Sequence, residues 1–257
     1  MDFDDGKPVI GVGSDLDPFV AGFTSKILLE KLKQFQNIKN EAMLHVDCTY
    51  KITKEAYPLL VVGVSDISRL FHLLGVFFVS QTTEIIIKYY IDSLFDAVNL
   101  NFTCLADWKP SFTMTDSDPA LINALRSRFG ESTKYLNCYF HLKKNVRDYV
   151  RSECMEHYST TMKDIDALHY TKNSTDFQNT CFQLDAKWRS EGLEKFANYV
   201  KSNLLSTPFN NWACYHSPTG YAKTNNPIEN FNGDLKRNTL SCFGSNKLAW
   251  LYNKNGE

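Results

Sequence analysis

Residues 43–50 read MLHVDCTY, and two phases are interleaved in them: Leu44, Val46, Cys48 and Tyr50 alternate with Met43, His45, Asp47 and Thr49. Period-two alternation marks a β-strand with two distinct faces. An aspartate flanked by apolar neighbours in such a strand is costly to bury without a partner for its charge. A metal ion is one such partner, and a half-exposed strand face is the other account of Asp47.

Working downstream, residues 58–65 (PLLVVGVS) and 71–79 (FHLLGVFFV) read as two further strands. Their short connections predict an antiparallel meander. A helix follows, with Thr82 or Thr83 as its cap, Glu84 in its first turn, and Ile87, Ile91, Leu94 and Val98 at helical spacing. Residues 112–116 (FTMTD) form a fourth strand. Asp118 then caps a helix that has Pro119 at its first position and runs to about Arg128. Residues 134–139 are a fifth strand. The order β-β-β-α-β-α-β predicts an α/β, RNase H-like fold, a mixed five-stranded sheet flanked by helices.

Beyond His141 the strand signals stop. Val146, Tyr149 and Val150 suggest one helix; Phe177, Cys181, Leu184 and Trp188, then Phe196, Val200 and Leu204, suggest at least one more. These define an all-α insertion over about 142–222, before a last helix that starts at Asn226-Pro227. Upstream, residues 1–40 form a lead-in with a loop (GVGSDLDPF) and a short helix over 25–36. Gly11 and Gly13 complete no nucleotide-binding pattern. Residues 41–240 are the main domain and 241–257 a C-terminal tail.

Composition narrows the function classes. Of 257 residues, 43% are hydrophobic, enough for a real core, and the net charge of −1 argues against autonomous tight DNA binding while allowing a local basic groove. The seven cysteines are an odd count with no CxxC pair, which predicts a reducing intracellular compartment. The acidic start MDFDDGKPV has no apolar core of a signal peptide. The apolar stretch 59–80 is broken by Ser65, Asp66, Ser68 and Arg69, so no membrane span is expected.

Two more acids join Asp47. Asp116 ends the fourth strand, where ligand sites of α/β folds gather. Asp118 competes for the role but already has the task of a helix cap. Glu229 lies in TNNPIENFNGDLKR, on the polar face of the last helix with Asn232 or Gly233 and Lys236; Ile228, Phe231 and Leu235 form the apolar face. The competing account of Glu229 is a capping box with Asn226. In an RNase H-like sheet the first and fourth strands are neighbours, so Asp47 and Asp116 approach, and a late helix can add Glu229. Three such carboxylates repel, and two Mg²⁺ or Mn²⁺ ions relieve this and suit phosphodiester chemistry.

The blocks HVDCTYK, MTDSDPALINAL, YLNCYFHLKKNV and TNNPIENFNGDLKR, spread over roughly residues 40–240, resemble the transposase domain of Mutator-like elements (MULE), of the DDE superfamily. The resemblance implies that Asp47, Asp116 and Glu229 are the catalytic, metal-binding triad. It also implies metal-dependent hydrolysis at transposon ends followed by strand transfer, with DNA as partner, a homo-oligomer when active, a nuclear location and no small-molecule substrate. Cys138, His141 and Asn232 then support the active site. The Cys/His patterns of the zinc modules common in that family do not occur, so an inactive, truncated or domesticated regulator that binds DNA or protein stays open beside the active core. A nuclease of RNA–DNA hybrids is a third reading, disfavoured by the insertion.

Cys138-x-x-His141 is also half of a zinc pattern that Cys214 and His216 could complete, but the irregular spacing argues against zinc. Lys143 or Lys144, Arg147 and Arg151 share one helix face and form a candidate phosphate track, with Lys236 and Arg237 closer to the acids. Trp188 and Trp212 are candidates for stacking on an unpaired base, with a place in the insertion's core the favoured account of Trp188.

Overall fold

The computed structural model describes residues 3–4, 7–8, 11–35, 42–50, 52, 57–106 and 108–243. A two-residue ribbon, β1 (Phe3–Asp4) with β2 (Lys7–Pro8), precedes β3 (Val20–Phe23), α1 (Lys26–Glu30) and a 3-10 turn over Lys31–Phe35. The meander follows as β4 (Met43–Thr49), β5 (Leu59–Ser65) and β6 (Phe71–Val79). Then come α2 (Glu84–Asn101), β7 (Phe112–Thr115), α3 (Pro119–Phe129) and β8 (Lys134–Asn137). Helices α4 (Tyr139–Glu153), α5 (Tyr158–His169), α6 (Ser174–Ser190) and α7 (Glu194–Asn203) follow without an intervening strand, and α8 (Asn226–Phe243) closes the described chain.

The sheet runs β3-β6-β5-β4-β7-β8. β4, β5 and β6 pair antiparallel, and β4, β7 and β8 pair parallel. Taken without β3, this is the RNase H-like arrangement, with the first strand of the meander beside the first strand of the parallel half. The sheet has six strands rather than the five expected. β3, from the lead-in, adds antiparallel to the open edge of β6, where Gly22 faces Phe77. A Cβ on Gly22 would lie 2.5 Å from the Phe77 ring, so the strand needs the missing side chain to reach its register.

The two faces of the sheet bury different partners. Leu44 and Val46 of β4, Leu60, Val62 and Val64 of β5, and Leu74 and Phe77 of β6 pack on one side with Ile87, Ile91, Leu94 and Val98 of α2 and Leu121 and Leu125 of α3. Each such fully buried aliphatic chain is worth about 1.5–3 kcal/mol over exposure. On the other side Leu59 and Val61 meet Ile228 of α8, with Phe71, Phe231 and Leu235 around them. Asp47 shares its phase with Met43 and His45 and therefore lies on the α8 side.

Local expectations hold in several places. Asp118 accepts a hydrogen bond from the Ala120 N–H and caps α3. Thr83 occupies the cap position of α2, although its side chain makes no cap bond. Two boundaries are corrected. The fifth strand ends at Asn137, not residue 139, because the Cys138 N–H bonds Thr115 O and Cys138 becomes the cap residue of α4. α5 went unrecognised in the sequence, although Met162, Ile165 and Leu168 recur every three residues and all are buried in the helical core. Gln36 and residues 244–257 of the expected tail lie outside the described residues.

α4 to α7 share a second core with Trp188, Phe196, Val200 and Trp212. Trp212 is only 2% exposed, donates from Nε1 to Leu204 O at 2.8 Å, and lies parallel to the Tyr139 and His169 rings. This corrects the stacking role considered for Trp212: its faces are already covered. Trp188, expected in a core, is in one, with Nε1 donating to Asp164 at 2.8 Å.

Candidate metal centre

The parallel register builds the site. β4 and β7 pair Met43 with Phe112, Leu44 with Thr113 and His45 with Met114. The same offset carried to the strand ends sets Asp47 opposite Asp116. β7 and β8 pair Thr115 with Asn137, so the next residues, Asp116 and Cys138, are abreast as well. Asp47, Asp116 and Cys138 therefore line up across the carboxyl ends of three parallel strands.

α8 brings the remaining groups from the face opposite α2 and α3. Its first helical bonds run from the N–H groups of Ile228 and Glu229 to Asn225 O. Asn225 is thus the cap residue and Glu229 sits one position too late for the capping box considered for Asn226. Its carboxylate turns to the strand ends instead: Oε1 is 3.6 Å from Cys138 Sγ, which donates to it, and 3.5 Å from His141 Nδ1. One turn on, Asn232 Nδ2 donates to Asp47 Oδ2 at 2.7 Å.

The electrostatics of the acids are unfavourable without a cation. Asp47 is 7% exposed. Burial, then the negative charges of Asp116 and Glu229, push its carboxyl up to about 8, against the pull of the Asn232 amide. Asp47 and Asp116 come within hydrogen-bonding range, which raises it further. Glu229 is also raised, first by burial and then by Asp116, although His141 and Cys138 favour its charged form. Asp116 Oδ1 is buried with no hydrogen-bond partner. The competing Asp118 is engaged as the α3 cap. Asp47, Asp116 and Glu229 raise one another without all coming within 4.8 Å, the closeness that Cys138, His141 and Glu229 reach among the described residues; their hard oxygens, one of them orphaned and buried, are the donor type that suits Mg²⁺ or Mn²⁺.

His45 and Asn225 were not singled out in the sequence. His45 is fully buried, with Nδ1 2.8 Å from Asn225 Oδ1 and Nε2 2.8 Å from Ser65 Oγ. It ties the start of α8 to the strand that carries Asp47. Its two-residue spacing from Asp47 was the available signal, since it places both on one face.

The other flagged residues separate. Cys214 faces His169 Nε2 at 3.2 Å, and the Cys138–His141 pair groups with Glu229, so the Cys138, His141, Cys214, His216 set does not assemble. Lys143 is paired with Asp166 at 2.6 Å. Lys144 and Arg151 are exposed, and Arg147 Nε is 3.6 Å from Asp148. On α8, Lys236 is half-buried and Arg237 pairs with Asp234. No helix among the described residues is long and apolar enough to cross a membrane.

Residues 43–145 match the model of the MULE transposase domain. No protein of curated function gives a significant sequence match. Among solved structures, the HTLV-2 integrase catalytic core domain in complex with magnesium, in a trimeric form, aligns at 14% identity over 52% of this chain and 87% of that one, with a TM-score of 0.24. The fold assignment stands on strand order and register, not on that alignment.

Proposed function

We propose that this chain, whose residues 43–145 match the MULE transposase domain model, is the catalytic core of a Mutator-like DNA transposase, with Asp47, Asp116 and Glu229 as its metal-holding triad. The observation that supports the reading is that three carboxylates, from β4, the end of β7 and α8, lie near enough to raise one another, with Asp116 Oδ1 buried and unpartnered. The proposed reaction is hydrolysis of a phosphodiester at the transposon ends, followed by strand transfer with the freed 3′-hydroxyl as nucleophile. It would take place in the nucleus, on a homo-oligomer bound to DNA.

The three acids would hold two Mg²⁺ or Mn²⁺ ions, which when bound activate an attacking oxygen and stabilise the leaving one. The protein's own contribution is preorganisation. The Asn232 amide fixes one oxygen of Asp47. The apolar face of α8 seats Glu229, and the His45–Asn225 bond anchors the helix start. Lys144, Arg147 and Arg151 on α4, with Lys236 and Arg237 on α8, supply positive charge for the DNA backbone.

The test pairs Mn²⁺ titration calorimetry with a plasmid-nicking assay on the purified chain. Asp47→Asn, Asp116→Asn and Glu229→Gln are each expected to lose nicking by on the order of a hundredfold or more. Asn232→Ala, which only releases Asp47, is expected to lose about 10–100-fold. Nicking that survives all three acid substitutions rejects the triad. Mn²⁺ binding without nicking favours the second reading, a non-catalytic regulator.

A further inference from the structure

Beside the hard-oxygen cluster lies a group of different chemistry. Cys138 Sγ, His141 Nδ1 and a Glu229 oxygen all lie within 4.8 Å of one another. From the geometry of this group we infer that Cys138, His141 and Glu229 form a separate site for one borderline-soft transition-metal ion of the Zn²⁺ class, with the fourth position open to water. The site shares Glu229 with the proposed triad but does not depend on the triad's activity.

Three observations carry the inference. The first is distance. Zinc at about 2.3 Å from sulfur and about 2.0–2.1 Å from nitrogen and oxygen in a tetrahedron sets its ligand atoms roughly 3.3–3.6 Å apart. Glu229 Oε1 stands 3.6 Å from Cys138 Sγ and 3.5 Å from His141 Nδ1. The second is an unmet valence. His141 Nδ1 is buried without a hydrogen-bond partner, because its approach to Glu229 lacks hydrogen-bond geometry. A lone pair directed at an ion satisfies it.

The third is the cradle around the sulfur. Cys138 is buried at the N-terminus of α4, and its Sγ accepts from the Asn225 N–H at 3.3 Å. The N–H groups of Phe140 and His141 in the first turn also face the sulfur, without completing a cap bond. In the ion-free protein the Cys138 S–H donates to Glu229 Oε1 at 3.6 Å. Binding the ion replaces that S–H by a metal–sulfur bond and releases the proton to solvent. One thiolate, one neutral imidazole and one carboxylate balance the ion's double charge.

The ligand set also selects. Sulfur and nitrogen favour Zn²⁺, whereas Asp47 and Asp116 offer only oxygen and suit Mg²⁺. The side chains of His141 and Glu229 remain 29% and 24% exposed, which leaves the ion a way in and room for a water ligand. The Asn225 backbone that holds the sulfur belongs to the residue His45 anchors, so the support extends into the sheet.

The test titrates the full chain with Co²⁺, a spectroscopic stand-in for Zn²⁺, in excess Mg²⁺. One equivalent is expected to bind with a near-ultraviolet sulfur-to-cobalt charge-transfer band that Zn²⁺ then bleaches. Cys138→Ala and His141→Ala are each expected to weaken binding at least tenfold, the former with loss of the band. Asp116→Asn is expected to keep the band. Should Cys138→Ala fail to fold by circular dichroism, His141→Ala decides, since its side chain is partly exposed. Absence of the band, or a band and affinity unchanged in either variant, overturns the site. Because Asp116→Asn leaves Cys138, His141 and Glu229 intact, the two centres are read separately: nicking that survives all three acid substitutions sinks the triad alone, and a missing band sinks the zinc site alone.

Discussion

In the ion-free protein Asp47→Asn should make the fold more stable, even though it removes a residue assigned to catalysis. Asp47 has an ordinary value of 3.8 and is pushed up to about 8 in the folded chain, by burial first and then by Asp116 and Glu229. The sign follows from proton binding. Between 3.8 and about 8 the folded chain holds a proton that the unfolded chain has released, so stability falls as pH rises through that window. At pH 7 roughly three units of the window have been crossed, at about 1.4 kcal/mol per unit, which gives a cost of about 4 kcal/mol. An asparagine keeps the shape, still accepts from the Asn232 amide, and offers Asp116 a neutral donor. Urea unfolding in EDTA should therefore show Asp47→Asn more stable than the parent by about 2–4 kcal/mol at pH 7, with the gain shrinking toward pH 4. Saturating Mg²⁺ should reverse the order, because only the intact acids gain from binding. A variant no more stable than the parent at pH 7, or an equal gain at pH 4, would refute the crowding of acids on which the site rests.

Three further outcomes are expected. His169 and His216 are both lowered from 6.5 to about 4 by burial, so they act with the opposite sign to Asp47. The unfolded chain takes up their protons first, stability is lost as pH falls from 6.5 toward 4, and His169→Gln should flatten that loss by up to one proton in pH-dependent denaturation. Trp188→Phe leaves the buried Asp164 with Lys187 alone and should cost about 1–3 kcal/mol in thermal or urea unfolding. Lys144→Ala with Arg151→Ala should reduce the salt slope of DNA binding by about 0.9 for each phosphate that is no longer neutralised, measured by fluorescence anisotropy against ionic strength; an unchanged slope removes α4 from the DNA path.

The chain's local patterns sufficed for most elements. Alternation over 43–50, 58–65 and 71–79, the Asp118-Pro119 start of α3 and the amphipathic repeats of α2 and α8 depend on neighbours a few residues away, and the sequence displays those directly. Even the role of Asp118 as the α3 cap followed from local chemistry. What stayed hidden was through-space. The added edge strand β3 depends on Gly22 meeting Phe77, and the capture of Lys143 by Asp166 crosses from α4 to α5. The covering of Trp212 by Tyr139 and His169 likewise joins distant segments. The placing of Glu229 beside Cys138 and His141, rather than in a capping box, was decided by where Asn225 docks on His45. Side-chain type and period are written in the chain, but which groups face one another is set by strand register and helix docking, where a shift of one residue turns each side chain to the opposite face.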